Sequence, residues 1–272
     1  LEMSSRANMS WGVGTGNLPV SVISESAIVP APVINASGKT FKGQMSVTIT
    51  PGADHANNPV DIFYTTDGSF PNVRSRKFSG PFLVDSSTTI KAVAVGRSEN
   101  SSMVATARFH RIPHDWSLLL KSRYSNQYPG SGDLALIDGI RGSRNWSGGE
   151  WQGYQGQDLV AMIDLGQVQN ITSLGAGFLQ DVGSWIWMPR RVDFEFSLDA
   201  TTFTPVLSLT NDVPDGSKSP SGGVVMKDFK GTITPQAARY VRIRAVNFGK
   251  IPEWHPGVGG DAWIFADEIW VK

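Results

Sequence analysis

Cysteine is absent from all 272 residues. Disulfides, thiol nucleophiles and thiolate metal sites are excluded with it. Export is not, because many bacterial exported proteins dispense with disulfides. An excess of charge of either sign is missing too: 24 Lys and Arg balance 24 Asp and Glu. Nucleic acid calls for a basic face and an anionic membrane for a basic patch, so the chain offers neither partner its usual surface. Histidine is scarce. His55, His110, His114 and His255 lack the paired spacing of a zinc site, and His255 reads as a hydrogen-bonding loop residue. No apolar run approaches the ~20 residues of a membrane span, so no transmembrane segment is expected.

What the chain has in quantity is glycine (29), proline (16) and tryptophan (nine). Many turns with many aromatics point to an all-β protein with rings on its surface. Leu1 is not an initiator, and the chain reads as a piece of a longer protein. Residues 1–27, rich in Ser, Gly and Asn, read as a tail or linker that ends at Pro30 and Pro32. Short strands are expected at 47–50, 61–66, 82–84, 88–95 and 104–109, with Asp67-Gly68 as a hairpin turn. That set makes residues 28–112 a small immunoglobulin- or fibronectin-like sandwich. Pro113 stiffens a short joint, so two packed units are expected. In residues 113–272, strands are expected at 117–124, 158–165, 171–179, 191–197, 203–209, 224–229, 238–246 and 262–271. Eight strands with long loops fit a jelly-roll sandwich.

Residues 138–166 organise the second unit. A glycine-rich polar loop runs into an alternating strand, with no nucleophile–base pair and no phosphate cradle. The candidate ligand residues lie on three expected loops, 146–157, 181–190 and 248–261, which a jelly roll can gather at one end. They are Trp151, Tyr154, Trp185, Trp187 and Trp254, with Arg190, Glu253 and His255 as polar partners. Arg191 and Asp181 lie close by in sequence. Sugars present C–H faces to rings and hydroxyls to planar polar groups, and tryptophan buries much area at little entropic cost. The alternative for each ring is that it plugs the sandwich end. Trp146 beside the Asp138-Gly139 loop, and Trp263 and Trp270 on the last strand, read as structural.

Two resemblances cover about nine-tenths of the chain. Tyr64-Thr65-Thr66-Asp67-Gly68-Ser69 with Pro71, Gly80-Pro81-Phe82, and Ile90-Lys91-Ala92 with Ala94 resemble the chitobiase/hexosaminidase carboxy-terminal domain, a non-catalytic appendage of secreted polysaccharide-degrading enzymes. Asp67 reads as a turn residue bonding its own backbone. Ala135 to Gly139, Trp146, the Ile163-Asp164-Leu165-Gly166 run and Phe194 to Asp199 resemble the discoidin domain, also called the coagulation factor five/eight type C domain, which in bacterial glycosidases is carbohydrate-binding module family 32. The version attached to bacterial family 20 β-N-acetylhexosaminidases is closer still. It shares Asp138-Gly139 with Gly142-Ser143, Trp151-Gln152-Gly153 with Asp158-Leu159, Pro252-Glu253-Trp254-His255 with Gly257, and Ala262-Trp263 with Asp267-Glu268-Ile269.

The resemblance implies a structural calcium held by Asp138, Ser143 and Glu268 together with backbone carbonyls, six to eight oxygens being what a hard cation takes. Family 20 enzymes also use an adjacent Asp-Glu pair in catalysis. Here Asp267 and Glu268 lie on a strand, where neighbours point to opposite faces, and the catalytic barrel is missing, so no hydrolase activity carries over. The implied function is that of a non-catalytic accessory region of an exported glycoside hydrolase (periplasmic, cell-surface or secreted). It would bind glycan ends of the galactose or N-acetylglucosamine type, beside the missing catalytic domain of the same polypeptide. Two other readings stay open: domains that only brace that barrel, and a discoidin module that meets proteins or surfaces. A concave patch with a polar rim favours sugar; a flat apolar patch favours a lost domain partner.

Overall fold

The computed structural model describes residues 28–52, 59–97, 100–217 and 223–272. The tail expected at 1–27 lies outside them. Fifteen strands form among the described residues: β1 (Val33–Ala36), β2 (Thr40–Phe41), β3 (Met45–Thr50), β4 (Asp61–Thr65), β5 (Arg76–Lys77), β6 (Phe82–Val84), β7 (Thr88–Val95), β8 (Ala105–Arg111), β9 (Ser117–Leu120), β10 (Gln152–Gln155), β11 (Leu159–Gln180), β12 (Arg191–Ser197), β13 (Thr204–Thr210), β14 (Val225–Val246) and β15 (Trp263–Val271).

The first eight strands make a small sandwich. One sheet has the order β1-β3-β6, the other β2-β8-β7-β4-β5. Alternation sets which side chains fill it. Met45, Val47 and Ile49 of β3 meet Ile62 and Tyr64 of β4 and Ile90, Ala92 and Ala94 of β7 in one apolar cluster. Asp67-Gly68 forms a turn, with Asp67 Oδ1 accepting from the Ser69 amide at 3.0 Å and Gly68 at φ 80, but not the tight hairpin expected: β4 and β5 pair across a longer connection, residues 66–75.

The remaining strands form a jelly-roll β-sandwich whose sheets share two long strands. β11 and β14, of 22 residues each, pair antiparallel almost end to end. Residues 159–164 and 240–246 lie in one layer with β9, β12 and β13. Residues 174–179 lie in the other with β15 and β10. The register shifts between Asp164/Gln169 and Ile171/Ser173 mark the passage from layer to layer. Leu159, Ala161, Ile163, Phe194 and Ile243 of the first layer meet Phe178 and Phe229 of the second in the core between them.

Three sequence expectations need correction. Strands expected separately at 158–165 and 171–179 are one, and so are 224–229 and 238–246, because the polar residues between them continue the ladder through irregularities. The strand expected at 117–124 stops at Leu120. Residues 152–155, expected within a loop, form β10 against β15.

At the joint, the His114 ring stacks on Trp116 with centroids 3.8 Å apart. Lys42 of the first sandwich donates from Nζ to the Trp116 carbonyl at 3.0 Å.

Candidate functional site

The three loops expected to meet do meet at one end of the jelly roll. Trp146 Nε1 donates to Asp181 Oδ2 at 3.0 Å, tying the first loop to the second. The Trp263 amide donates to the Trp185 carbonyl at 2.9 Å, tying the second to the base of the third. A fourth segment, 211–217, joins them: Trp187 Nε1 donates to the Asp215 carbonyl at 2.9 Å. Nothing in the sequence around Asp215 had distinguished it from an ordinary turn.

The second loop is built to display Trp185. Beyond β11, Asp181 and Ile186 exchange backbone hydrogen bonds and close a tight turn over Val182–Ser184. Asp181 Oδ2 also accepts from Ser184 Oγ at 2.7 Å. Trp185 then takes a left-handed conformation, φ 66, which costs a non-glycine residue roughly 1–2 kcal/mol. Its ring lies on glycine backbone. A Cβ added to Gly257 would stand 2.7 Å from Trp185 Cε2, and one on Gly260 3.4 Å from Cζ3. The side chain is nonetheless 40% exposed, the one tryptophan among the described residues left so open. Gly257→Ala is therefore expected to push the ring off its seat without unfolding the sandwich. Quenching of Trp185 fluorescence by acrylamide should rise while the melting temperature moves little, and unchanged quenching would contradict the packing described.

The other polar residues stand on the same loops. Arg190, exposed, donates from Nε to the Phe248 carbonyl at 2.8 Å, with its guanidinium over the Phe248 ring. Glu253 is exposed and Trp254 half-buried. Trp254 packs edge-on to His255. Val258 adds apolar surface.

Four of the expected ligand residues are placed elsewhere. Trp151 is buried, with Nε1 donating to the Ser143 carbonyl at 2.8 Å, and its ring fills the space a side chain on Gly142 would need. Tyr154 is buried in the core and donates its hydroxyl to Gln152. Trp187 is buried and stacked on Phe248, with centroids 5.3 Å apart. His255 is buried, and its Nδ1 accepts from the Gly257 amide at 3.0 Å. None of the three rings can offer a face to a ligand, because each supports the loops from beneath. His255 works as expected of a hydrogen-bonding loop residue, but it shapes the Gly257 turn.

Further along the same sandwich, Asp138 and Glu268 form a buried carboxylate pair. The Gly139 amide donates to Glu268 Oε2 at 3.0 Å. Asp138 accepts from the Ile140 amide at 2.7 Å and from the Ser131 hydroxyl. Burial pushes Asp138 up to about 6. Burial, helped by the Asp138 charge, pushes Glu268 up to about 9. Neither forms a salt bridge among the described residues, since Arg141 goes instead to Asp267 and Asp228 at 2.8 and 2.5 Å. Two buried carboxylates without a cationic partner suit a bound cation. Ser143 is exposed and lines the same cavity as Asp138, with its hydroxyl 3.5 Å from the Asn145 carbonyl. Among the described residues no cluster of three or more His, Cys, Asp or Glu could hold a metal. A cation at this site would draw on two carboxylates, with hydroxyl and backbone oxygens making up the rest.

Asp267 and Glu268 do not follow the plain alternation expected of strand neighbours: the β11/β15 ladder slips register beside them, between Ala176 and Phe178, and both reach the 138–142 loop. Asp267 faces Arg141 and the Gly142 amide; Glu268 faces Gly139.

Comparison with known proteins gives two family matches. The model for the chitobiase/beta-hexosaminidase C-terminal domain matches residues 35–106, and that for the F5/8 type C domain matches residues 121–262. No curated protein matches the chain. Among solved structures, CpGH89CBM32-5 from Clostridium perfringens, in complex with GalNAc-beta-1,3-galactose, is 17% identical with a TM-score of 0.37, over 57% of this chain and 94% of that one. The family 32 carbohydrate-binding module of C. perfringens NanJ, in complex with galactose, is 18% identical with a TM-score of 0.32, over 57% of this chain and 92% of that one. The C-terminal domain of a chitobiase from Bacteroides fragilis is 19% identical with a TM-score of 0.34, over 58% and 93%.

Proposed function

We propose, from the premise that this chain belongs to the F5/8 type C domain family over residues 121–262, that its C-terminal sandwich binds a glycan end on the Trp185 platform. The observation that carries this reading is Trp185, its backbone left-handed and its ring seated on a glycine bed, yet 40% exposed. A ring fixed in advance loses little entropy when a sugar face stacks on it. Arg190 and Glu253, on the flanking loops, would take the hydroxyls, with Trp254 and Val258 at the side. Exposed Trp185 and Val258 stand here beside exposed Arg190 and Glu253. Docking against another domain would call for a wider apolar patch.

The occupant in this reading is a non-reducing sugar of the galactose or N-acetylglucosamine type. The match of residues 35–106 to the chitobiase/beta-hexosaminidase C-terminal domain supports placing the whole chain as an accessory region of a β-N-acetylhexosaminidase-like glycoside hydrolase. Its catalytic domain would lie elsewhere in the same polypeptide, and the protein would be exported, to the periplasm, the cell surface or the medium. Among the described residues no helix is long and apolar enough to cross a membrane. Asp138 and Glu268 would hold a structural calcium, with Ser143 and loop carbonyls supplying further oxygens. The ion would neutralise the carboxylate pair and fasten the 138–143 loop to β15.

Titration of galactose and of N-acetylglucosamine into the whole chain tests the platform. One of them should saturate the wild type near millimolar, where only about 4 kcal/mol is available. Trp185→Ala should then weaken it more than about tenfold, since a stacking ring is a large share of that sum. Equal binding by the variant would put the sugar elsewhere.

A further inference from the structure

Arg190 is exposed, yet it is tied down on every side. Its amide donates to the Val246 carbonyl at 2.8 Å, and its carbonyl accepts from the Asn211 amide at 3.0 Å. Its side chain donates from Nε to the Phe248 carbonyl at 2.8 Å, and Cζ lies 5.1 Å from the centre of the Phe248 ring. Phe248 in turn stacks on Trp187 with 21° between the ring planes. Trp187 is fixed by the bond from Nε1 to the Asp215 carbonyl and by an edge contact with His255. Burial falls off along this series: Trp187 is buried, Phe248 half-buried and Arg190 exposed. A guanidinium over a ring gains electrostatic attraction to its face.

What this leaves free is specific. The bond to Phe248 uses Nε. Arg190 enters no salt bridge among the described residues. The nearby Arg191, Arg242 and Arg244 differ, each pairing with a carboxylate. Gly249 takes φ 98, and a Cβ on it would touch Arg190 Nη2 at 3.8 Å, so the glycine leaves that side of Nη2 uncovered. Arg190 thus brings two Nη groups, fixed in advance, to the end of the sandwich that carries Trp185.

Resting on the Trp185 platform, we propose that Arg190 determines which sugars the platform accepts. It would donate through its Nη groups to two adjacent oxygens of the sugar, and Phe248 would be the positioning residue that holds the guanidinium for them. The planar fork of a guanidinium matches a pair of acceptors side by side. Neighbouring hydroxyls on a sugar ring make such a pair, and an isolated hydroxyl does not. A lysine ammonium would keep the charge and lose the fork. Because the side chain is already ordered, little rotamer freedom is lost on binding.

Calorimetric titration of the whole chain with galactose and N-acetylglucosamine, then with the monodeoxy analogues of the sugar that saturates, tests this. Arg190→Lys should weaken that sugar about tenfold or more, the scale of a lost charge-assisted hydrogen bond. Phe248→Leu keeps the carbonyl at 248 and much of the apolar volume. It should weaken binding severalfold with the melting curve little changed, and Phe248→Tyr should bind as the wild type does. In double-mutant cycles, the loss from Arg190→Lys should shrink on two analogues, those lacking neighbouring hydroxyls, and stay whole on the rest. Shrinkage on one analogue alone, or on two whose missing hydroxyls are not neighbours, overturns the proposal. So does wild-type affinity in Phe248→Leu. If Trp185→Ala weakens the sugar and Arg190→Lys does not, the platform stands and its selection by Arg190 falls. If neither sugar binds, or Trp185→Ala binds as the wild type does, the platform reading fails and this proposal with it.

Discussion

Asp267→Ala is expected to cost the C-terminal sandwich about 3–5 kcal/mol, the usual penalty for breaking one side of a buried charge pair. Asp267 is fully buried and accepts from Arg141 Nε at 2.8 Å, from the Gly142 amide at 2.8 Å and from the Glu268 amide at 2.7 Å. Burial lifts its pKa, and those donors act against the lift. Arg141 is partly exposed, so solvent would recover some of its share. The two backbone amides have no such outlet, and their unmet demand dominates the loss. For a domain of this size the penalty corresponds to a melting temperature lower by on the order of 10 °C. Asp267→Asn keeps one acceptor oxygen and should lose markedly less. A thermal scan showing less than about 1 kcal/mol of change in the alanine variant would mean that the loop carrying Gly142 does not depend on this carboxylate.

Chelation should produce the next largest change. If calcium neutralises Asp138 and Glu268, saturating it at a hundred times its dissociation constant adds about 2.7 kcal/mol to the folded state. EDTA should then lower the melting temperature of the C-terminal sandwich by roughly 5–10 °C. Calcium should restore it and magnesium should not, since the smaller ion demands a stricter octahedron. Without a cation, Glu268 at about 9 holds its proton at neutral pH, so the apo site carries only the charge of Asp138 and survives. Glu268→Gln imitates that state and should melt near the chelated wild type, with no further response to EDTA. A wild type indifferent to chelator would remove calcium from the site.

The sheets were legible wherever one face is wet. β12 alternates Val192, Phe194 and Phe196 inward, and its bounds match the expectation, as do those of β6 and β7. Where the alternation lapses, reading fails. Residues 166–168 are exposed, so β11 read as two strands. Residues 151–154 are buried without interruption, so β10 shows no period of two, and its glycine spoke for a loop.

The candidate site was half legible for a related reason. Composition and spacing point to loops rich in tryptophan. They do not say which rings turn outward. Trp185 and Trp187 are two residues apart and of one type, yet one is open and the other fully buried. The difference lies in a left-handed backbone at Trp185 and a glycine bed at Gly257, 72 positions on, which only the fold brings together. Asp138 and Glu268 were found through a motif, and burial explains why they belong together.

β11 and β14 belong to both layers of the jelly roll at once, and this has a bearing on how the domain comes apart. In a sandwich of separate hairpins, an outer sheet can fray while the other persists. Here neither layer can open without breaking a ladder that runs on into the other, so damage near Ile243 is felt near Phe229. Partial unfolding is confined to loops and edge strands. The same pairings join residues far apart in the chain, so loop-closure entropy is spent before much is gained, and folding is slow for a domain of this size. A module secured in this way gives up speed of assembly for an all-or-none scaffold on which its displayed ring cannot drift.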